Sequence, residues 1–461
     1  MPLPPLLRGL LPRALSSCRY ACTVAIPAPG VVSIAFPAHP ARRALFHGIW
    51  LRDHCPTSSH PLTGQRTLDS QTLPLALSPT RAYSEGDTVC LEWPGGHRSA
   101  FSSAWLQRYA YWWDGEAAPS AAPQPPPPPP PPPPESAPLS VTAWWRDAAR
   151  DTATRRVWAA GDLAGGLPSV PYSAFMGGNE GLRTGLRLLR DVGFVLLQGC
   201  PATEAATEAA CQRIGFLQPT LYGPGMWRTE VRPPAAGLTD TAYTADPLPL
   251  HTDGNYLSDA PGLQVFHCTQ FDASGGGDSL LMDGLALAAR VAAVDAAAFS
   301  LLTLWPFHYH HTGQDGTVGA ARPVFGLDER GEVESVHYSS VDRGPVTLPP
   351  SWMRELALAR ALTGAGSAAA LAVHPTLANP ATAIPAMYAA LRVLAECLSD
   401  PALLLRFPLR PGTVLIFNNQ RVLHGRMGFD VTSGRVLVGC YLGKNEWMSR
   451  TREAERGDGS M

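Results

Sequence analysis

Apolar residues change their spacing along the chain wherever the element type is expected to change. Between Asn179 and Asp191, Leu182, Leu186 and Leu189 recur at helical spacing, which predicts an amphipathic helix. Residues 193–197 form an apolar run that reads as a strand, and 203–215 returns to a helical pattern. Further strand-like runs occur at 263–268, 280–283, 414–417 and 436–442. The alanine-rich stretch 285–299 reads as a helix, as does a bridging region at 144–158, whereas 359–385 looks like a low-complexity insertion. Nearer the N-terminus, strand-like runs at 31–36 and 88–93, the turn Gly95-Gly96 and aromatics from Trp105 to Trp113 predict a small β-rich unit. Short strands bounded by Gly and Pro and flanked by helices predict a mainly β fold. Its core would be a distorted double-stranded β-helix, or jelly roll, preceded by the small β-rich domain.

Composition sharpens the boundaries. The 461 residues contain 43 Gly and 47 Pro beside only 16% charged residues, which points to low-complexity pieces around a globular core. No acidic residue precedes Asp53, while Arg8, Arg13 and Arg19 lie among leucines and serines. Residues 1–30 are therefore expected to be an organelle transit peptide, mitochondrial in preference to plastid. The N-terminal domain is expected at 31–115, a Pro-rich linker at 116–140 with unbroken proline from 125 to 134, and the larger domain at 141–461. A formal net charge of −2 gives no case for nucleic acid. No uninterrupted apolar run of about 18 residues suggests a membrane span. Nine irregularly spaced cysteines argue for a reducing compartment without a disulfide framework.

The candidate chemistry centres on His251-Thr252-Asp253 and on His424 within Arg421-Val422-Leu423-His424-Gly425. Two imidazoles and a carboxylate are the facial triad of a non-haem Fe(II) site. His251 and Asp253 at i and i+2 of one strand would share a face, to which a later strand could bring His424. Arg435, in the strand after His424, is placed to pair with the free carboxylate of a dicarboxylic cosubstrate, and Ser279 could be a second donor. Gly275-Gly276-Gly277 lacks the Gly-Lys-Ser/Thr of a phosphate loop and reads as a turn into a strand. Tyr222, Trp227, Tyr243, Tyr256 and Tyr441 could surround a quaternary ammonium, and Asp240 could meet a substrate amine. His308, His310 and His311 are taken as structural. Cys55, His60 and His97 offer most of a structural zinc site, with His54 nearest to a fourth ligand.

Several motifs in order resemble the trimethyllysine and gamma-butyrobetaine dioxygenases. They are Trp50-Leu51-Arg52-Asp53-His54-Cys55, Gln65-Arg66-Thr67-Leu68-Asp69, Asp240-Thr241-Ala242-Tyr243-Thr244, the His251 and His424 motifs, 262–268 and Gly439-Cys440-Tyr441-Leu442. The resemblance spans both units. It implies an Fe(II)- and 2-oxoglutarate-dependent hydroxylase of carnitine biosynthesis that uses O2 and ascorbate, acts on a small betaine and forms a homodimer in the mitochondrial matrix. His251, Asp253 and His424 would hold iron, Arg435 would bind 2-oxoglutarate, and Tyr222, Trp227, Tyr243 and Tyr441 would cage the trimethylammonium. The expected reaction is C3 hydroxylation of trimethyllysine. The alternatives are gamma-butyrobetaine hydroxylation and a silent barrel that binds metal or a methylated amine. Thr57 and His60 stand where the sister family's zinc site has cysteines, one residue is added between Tyr222 and Trp227, and Ser339-Ser340 replaces an Asn-Asn pair. Asp240 favours the substrate that carries an α-amine.

Overall fold

The computed structural model describes residues 22–60, 65–114, 154–220, 223–231, 240–271, 276–313, 316–328, 330–348 and 379–456. Most of the expected transit peptide, the Pro-rich linker and most of the expected bridging helix lie outside these residues.

The chain divides into two compact units, Met1–Pro56 with Ala76–Glu116 and Thr57–Leu75 with Ala117–Met461. In the first, two three-stranded antiparallel sheets are built from β1 (Thr23–Ala28), β2 (Val31–Ala35) and β3 (Ala44–His47), and from β4 (Arg81–Glu85), β5 (Thr88–Glu92) and β6 (Arg98–Ser102). Trp50, Phe46, Phe36 and Phe101 fill its core. Strand β1, in which Val24 pairs with Ile34, overlaps the last residues of the stretch expected to be a leader.

The second unit carries β7 (Ser169–Pro171), β8 (Phe194–Gln198), β9 (Trp227–Thr229), β10 (Leu248–His251), β11 (Leu263–Gln270) and β12 (Ser279–Asp283). Two hairpins follow, β13 (Phe307–Gly313) with β14 (Gly316–Arg322) and β15 (Phe325–Leu327) with β16 (Val333–Val336). The last strands are β17 (Leu405–Phe407), β18 (Thr413–Asn418), β19 (Val422–Arg426) and β20 (Val436–Leu442). One sheet runs β7-β8-β18-β11-β20-β9 and the other β10-β19-β12-β17. Strand alternation shows how they pack. Phe194, Leu196, Leu415, Phe417 and Leu437 join Leu281, Leu405, Phe407 and Val422 of the other sheet in one buried cluster. The intervening Val195, Leu197, Val414, Ile416, Cys440 and Leu442 meet helical residues instead. Both faces of the six-stranded sheet are covered, which is why its strands read as nearly continuous apolar runs. This two-sheet packing is the jelly-roll arrangement expected from the sequence.

Helix Asn179–Asp191 presents Leu182, Leu186 and Leu189 to the sheet. The alanine-rich helix is two helices, Gly284–Val294 and Ala296–Leu304. The break falls at Asp295, whose carboxylate accepts the Ala297 and Ala298 N–H groups at 2.8 and 3.0 Å and so caps a new N-terminus. Residues 379–385, expected in an insertion, instead open the helix Pro380–Leu398, capped by Asn379; residues 359–378 lie outside the description. That helix is long and apolar enough to cross a membrane, yet it packs on both alanine-rich helices and buries Ile384, Met387, Leu391 and Leu394.

Candidate metal centre and its pocket

Strand β10 lies antiparallel to β19, and the register sets His251 directly opposite His424. Opposed residues of a ladder project to the same face, and the two rings sit with centroids 4.2 Å apart. Gly425 permits the close approach, since a Cβ there would come within 2.7 Å of the Leu248 carbonyl oxygen. Asp253 arrives differently from the expectation. β10 ends at His251, and Asp253 sits in the turn that follows. Asn419, which has no motif to mark it, fixes that turn: its Oδ1 accepts the Asp253 N–H at 2.8 Å, and its Nδ2 donates to the Asp253 carbonyl at 2.9 Å. Asp253 Oδ1 then lies 3.1 Å from His251 Nε2 and 3.9 Å from His424 Nε2. Among the described residues this is the one trio of candidate ligand atoms gathered within 4.8 Å. Two imidazole nitrogens and one carboxylate oxygen fit a facial Fe(II) triad.

The surroundings assign each ligand atom. His251 Nδ1 is 2.7 Å from the Pro249 carbonyl oxygen, which selects the tautomer whose Nε2 lone pair faces Asp253 and His424, as a metal ligand would require. The other carboxylate oxygen, Asp253 Oδ2, accepts the Tyr441 hydroxyl at 2.9 Å and the Gln264 amide. Burial opposes charge on His251, but the hydrogen bond and charge of Asp253 outweigh it and raise the imidazole to about 9. Burial would also raise Asp253, yet the two histidines hold it well below the usual carboxylate range. His424 is lowered to about 3 by burial and by its neighbour His251. The metal-free centre is thus one imidazolium–carboxylate pair beside a neutral imidazole.

The triad opens into a cavity lined among others by Trp227, Asp240, Tyr243, Tyr256, Ser279, Arg435 and Tyr441. Arg435 directly precedes β20 rather than lying within it. It is 6% exposed, and no carboxylate pairs with it among the described residues. Its guanidinium lies 5.3 Å from the Phe429 ring. A buried cation without an anion is a site for one. Ser279 lies in the same cavity, on β12. Trp227 reaches Tyr441 at 5.8 Å between ring centroids by crossing Gly439, where a Cβ would meet its ring at 2.3 Å. Asp240 caps the turn Thr241–Tyr243 through the Ala242 N–H at 2.8 Å. Arg426, given no role by the sequence, holds that loop by donating to the carbonyls of Thr241, Ala242, Thr244 and Asp246. Tyr256 stacks on His311 with centroids 5.1 Å apart. Tyr222 lies outside the described residues.

Of the expected zinc ligands, Cys55 and His97 come together in the first unit, Sγ to Nε2 at 3.3 Å, while Ser99 Oγ donates to the sulfur at 2.9 Å. His60 belongs to the second unit. His54 Nδ1 is occupied by the Trp50 carbonyl at 2.6 Å. The eight described cysteines form no disulfide with one another.

A family profile described as "Taurine catabolism dioxygenase TauD, TfdA family" matches residues 165–441. Trimethyllysine dioxygenase of Meyerozyma guilliermondii is 28% identical over 417 residues, covering 88% of this chain and 90% of that one. Gamma-butyrobetaine dioxygenase of Pseudomonas sp. is 29% identical over 416 residues, covering 89% and 91%. Mitochondrial trimethyllysine dioxygenase of Homo sapiens is 29% identical over 409 residues, covering 88% and 82%.

Proposed function

The chain belongs to the TauD, TfdA dioxygenase family and is an iron- and 2-oxoglutarate-dependent dioxygenase; from that premise we propose that it hydroxylates N6,N6,N6-trimethyllysine at C3, the first step of carnitine biosynthesis. The observation that carries the proposal is one pocket that unites the His251, Asp253 and His424 trio with the buried Arg435, which has no carboxylate partner among the described residues.

In this proposal His251, Asp253 and His424 hold Fe(II), and Arg435 with Ser279 binds the far carboxylate of 2-oxoglutarate. When bound, iron couples the oxidative decarboxylation of 2-oxoglutarate by O2, giving succinate and carbon dioxide, to hydroxylation of a C–H bond. The remaining residues bind and orient. Trp227, Tyr243 and Tyr441, with Tyr222, offer ring faces to the trimethylammonium, which has no N–H to donate and gains from cation-π attraction. Asp240 takes the α-ammonium and favours trimethyllysine over gamma-butyrobetaine, which lacks that group. Ascorbate would keep the iron reduced. Of the zinc ligands expected, Cys55, His60 and His97, the first unit brings together Cys55 and His97, so a structural zinc ion would need further ligands. The names of the mammalian relatives support a mitochondrial location, and placement in the matrix and a homodimer complete the proposal.

The test is aerobic incubation with Fe(II), 2-oxoglutarate, ascorbate and each betaine separately. Succinate and 3-hydroxytrimethyllysine are expected from trimethyllysine. Preferential turnover of gamma-butyrobetaine would reassign the substrate. Absence of substrate-dependent succinate with both would leave a silent barrel.

A further inference from the structure

The pocket contains a second acidic side chain that the triad, the cosubstrate and the aromatic faces do not use. Asp342 follows β16 and lines the same cavity as Asp240, Ser340 and His251. It is 9% exposed. Its hydrogen-bond partners among the described residues are neutral: Gln65 Nε2 donates to Oδ1 at 3.2 Å, and Ser339 Oγ donates to Oδ2 at 2.8 Å. No Lys or Arg pairs with it among the described residues. Gln65 comes from the segment Thr57–Leu75, which packs with the second unit. Its Oε1 accepts the Thr241 N–H at 2.7 Å, so one amide ties Asp342 to the turn that begins at Asp240. A buried carboxylate without a cation is costly unless a ligand supplies the charge. Burial, and then the charge of Asp240, raise Asp342 to about 6.

Resting on the proposed trimethyllysine reading, we propose that Asp342, positioned by Gln65, is a second specificity-determining carboxylate that shares the substrate's α-ammonium with Asp240. The cation it takes is a protonated primary amine and not the trimethylated one. Carboxylate oxygens accept from N–H donors, and the α-ammonium has three. The quaternary nitrogen has none and suits the ring faces of Trp227 and Tyr441. The pocket is then polarised, with Arg435 for the cosubstrate anion and Asp240 with Asp342 for the substrate cation.

Calorimetry on protein loaded with Mn(II) and 2-oxoglutarate tests this without turnover, comparing trimethyllysine with its analogue lacking the α-amine. Wild type should prefer the amine-bearing ligand, and Asp342→Asn should reduce that preference by about tenfold or more. Its melting temperature should be no lower than that of wild type, because the substitution removes an uncompensated buried charge. Gln65→Leu should reduce the preference in the same direction. An unchanged preference in Asp342→Asn, no preference in wild type, or an unfolded Asp342→Asn would overturn the proposal. Wild type that binds trimethyllysine with the expected preference but fails to hydroxylate it would instead overturn the functional reading alone.

Discussion

The Tyr441 hydroxyl donates to Asp253 Oδ2 at 2.9 Å, so a residue expected only as a wall of the ammonium cage also orients the carboxylate proposed to hold iron. With Gln264 on the same oxygen, it leaves Oδ1 facing the histidines. Tyr441→Phe keeps the ring face and removes this bond. Iron affinity should fall by roughly 10-fold or more, the usual effect of losing an outer-shell partner, with a smaller change in the KM for trimethyllysine. Metal titration beside steady-state kinetics checks the split, and an unchanged iron affinity would remove the orienting role.

The imidazolium–carboxylate pair makes the metal-free centre sensitive to pH. His251, raised to about 9, contributes stability that is complete below its ordinary value near 6.5 and is lost as pH rises through about 9. The melting temperature of the iron-free protein should therefore decline between pH 7 and pH 9. Iron must displace the same proton, so apparent affinity should rise by about tenfold per pH unit over that window. Differential scanning fluorimetry with and without metal measures both, and parallel declines in the two forms would contradict the linkage.

The elements legible in the sequence were those whose signal is local. Asn179–Asp191 carries its own apolar stripe, and Val436–Leu442 is an uninterrupted apolar run; both occur at these bounds. His251 and His424 were legible as a ligand set, but the way they meet was not. The turn that delivers Asp253 is fixed by Asn419 from the far side of the chain, and an isolated asparagine gives no local sign of such a role. The same holds for Gln65, Gln264 and Arg426, whose partners lie elsewhere in the chain. Asp295 was the exception, because an aspartate within an alanine run is a legible cap that could have split the 285–299 helix.

Arg421 and Asp283 form a bidentate pair, Nε to Oδ1 and Nη2 to Oδ2 both at 3.0 Å, almost wholly buried at the ends of β19 and β12. Asp283 also accepts the Leu285 and Trp158 N–H groups. Arg421→Met strands that carboxylate without its cation and should cost about 3–5 kcal/mol. Urea unfolding is the measurement. A loss under about 1 kcal/mol would show that the neutral donors suffice to hold the charge.

In the first unit, Cys55 Sγ and His97 Nε2 are 3.3 Å apart, close to the separation of about 3.5 Å that zinc bond lengths and tetrahedral angles give for two ligands. Burial, and then Arg52, lower His97, which keeps its nitrogen available as a ligand. Purified protein should contain zinc in addition to iron, and His97→Ala should lose the zinc while retaining iron. Elemental analysis decides this; zinc-free protein with readily alkylated Cys55 would leave the pair as a thiol–imidazole hydrogen bond.

Arg435 gives the most direct test of cosubstrate binding. Its guanidinium is buried in the cavity without a carboxylate partner among the described residues, and burial lowers its pKa, so an incoming dicarboxylate would supply the missing charge. Removing the cation strands that carboxylate in a partly dry site, where such a loss costs about 2–5 kcal/mol. Arg435→Ala should therefore raise the 2-oxoglutarate KM by about 30-fold or more while iron binding is retained. Arg435→Lys keeps the charge but not the planar fork, and should recover only part of the loss. If both variants keep the wild-type KM, the cosubstrate carboxylate is held elsewhere. If lysine rescues fully, Arg435 acts as a point charge and not through bidentate geometry.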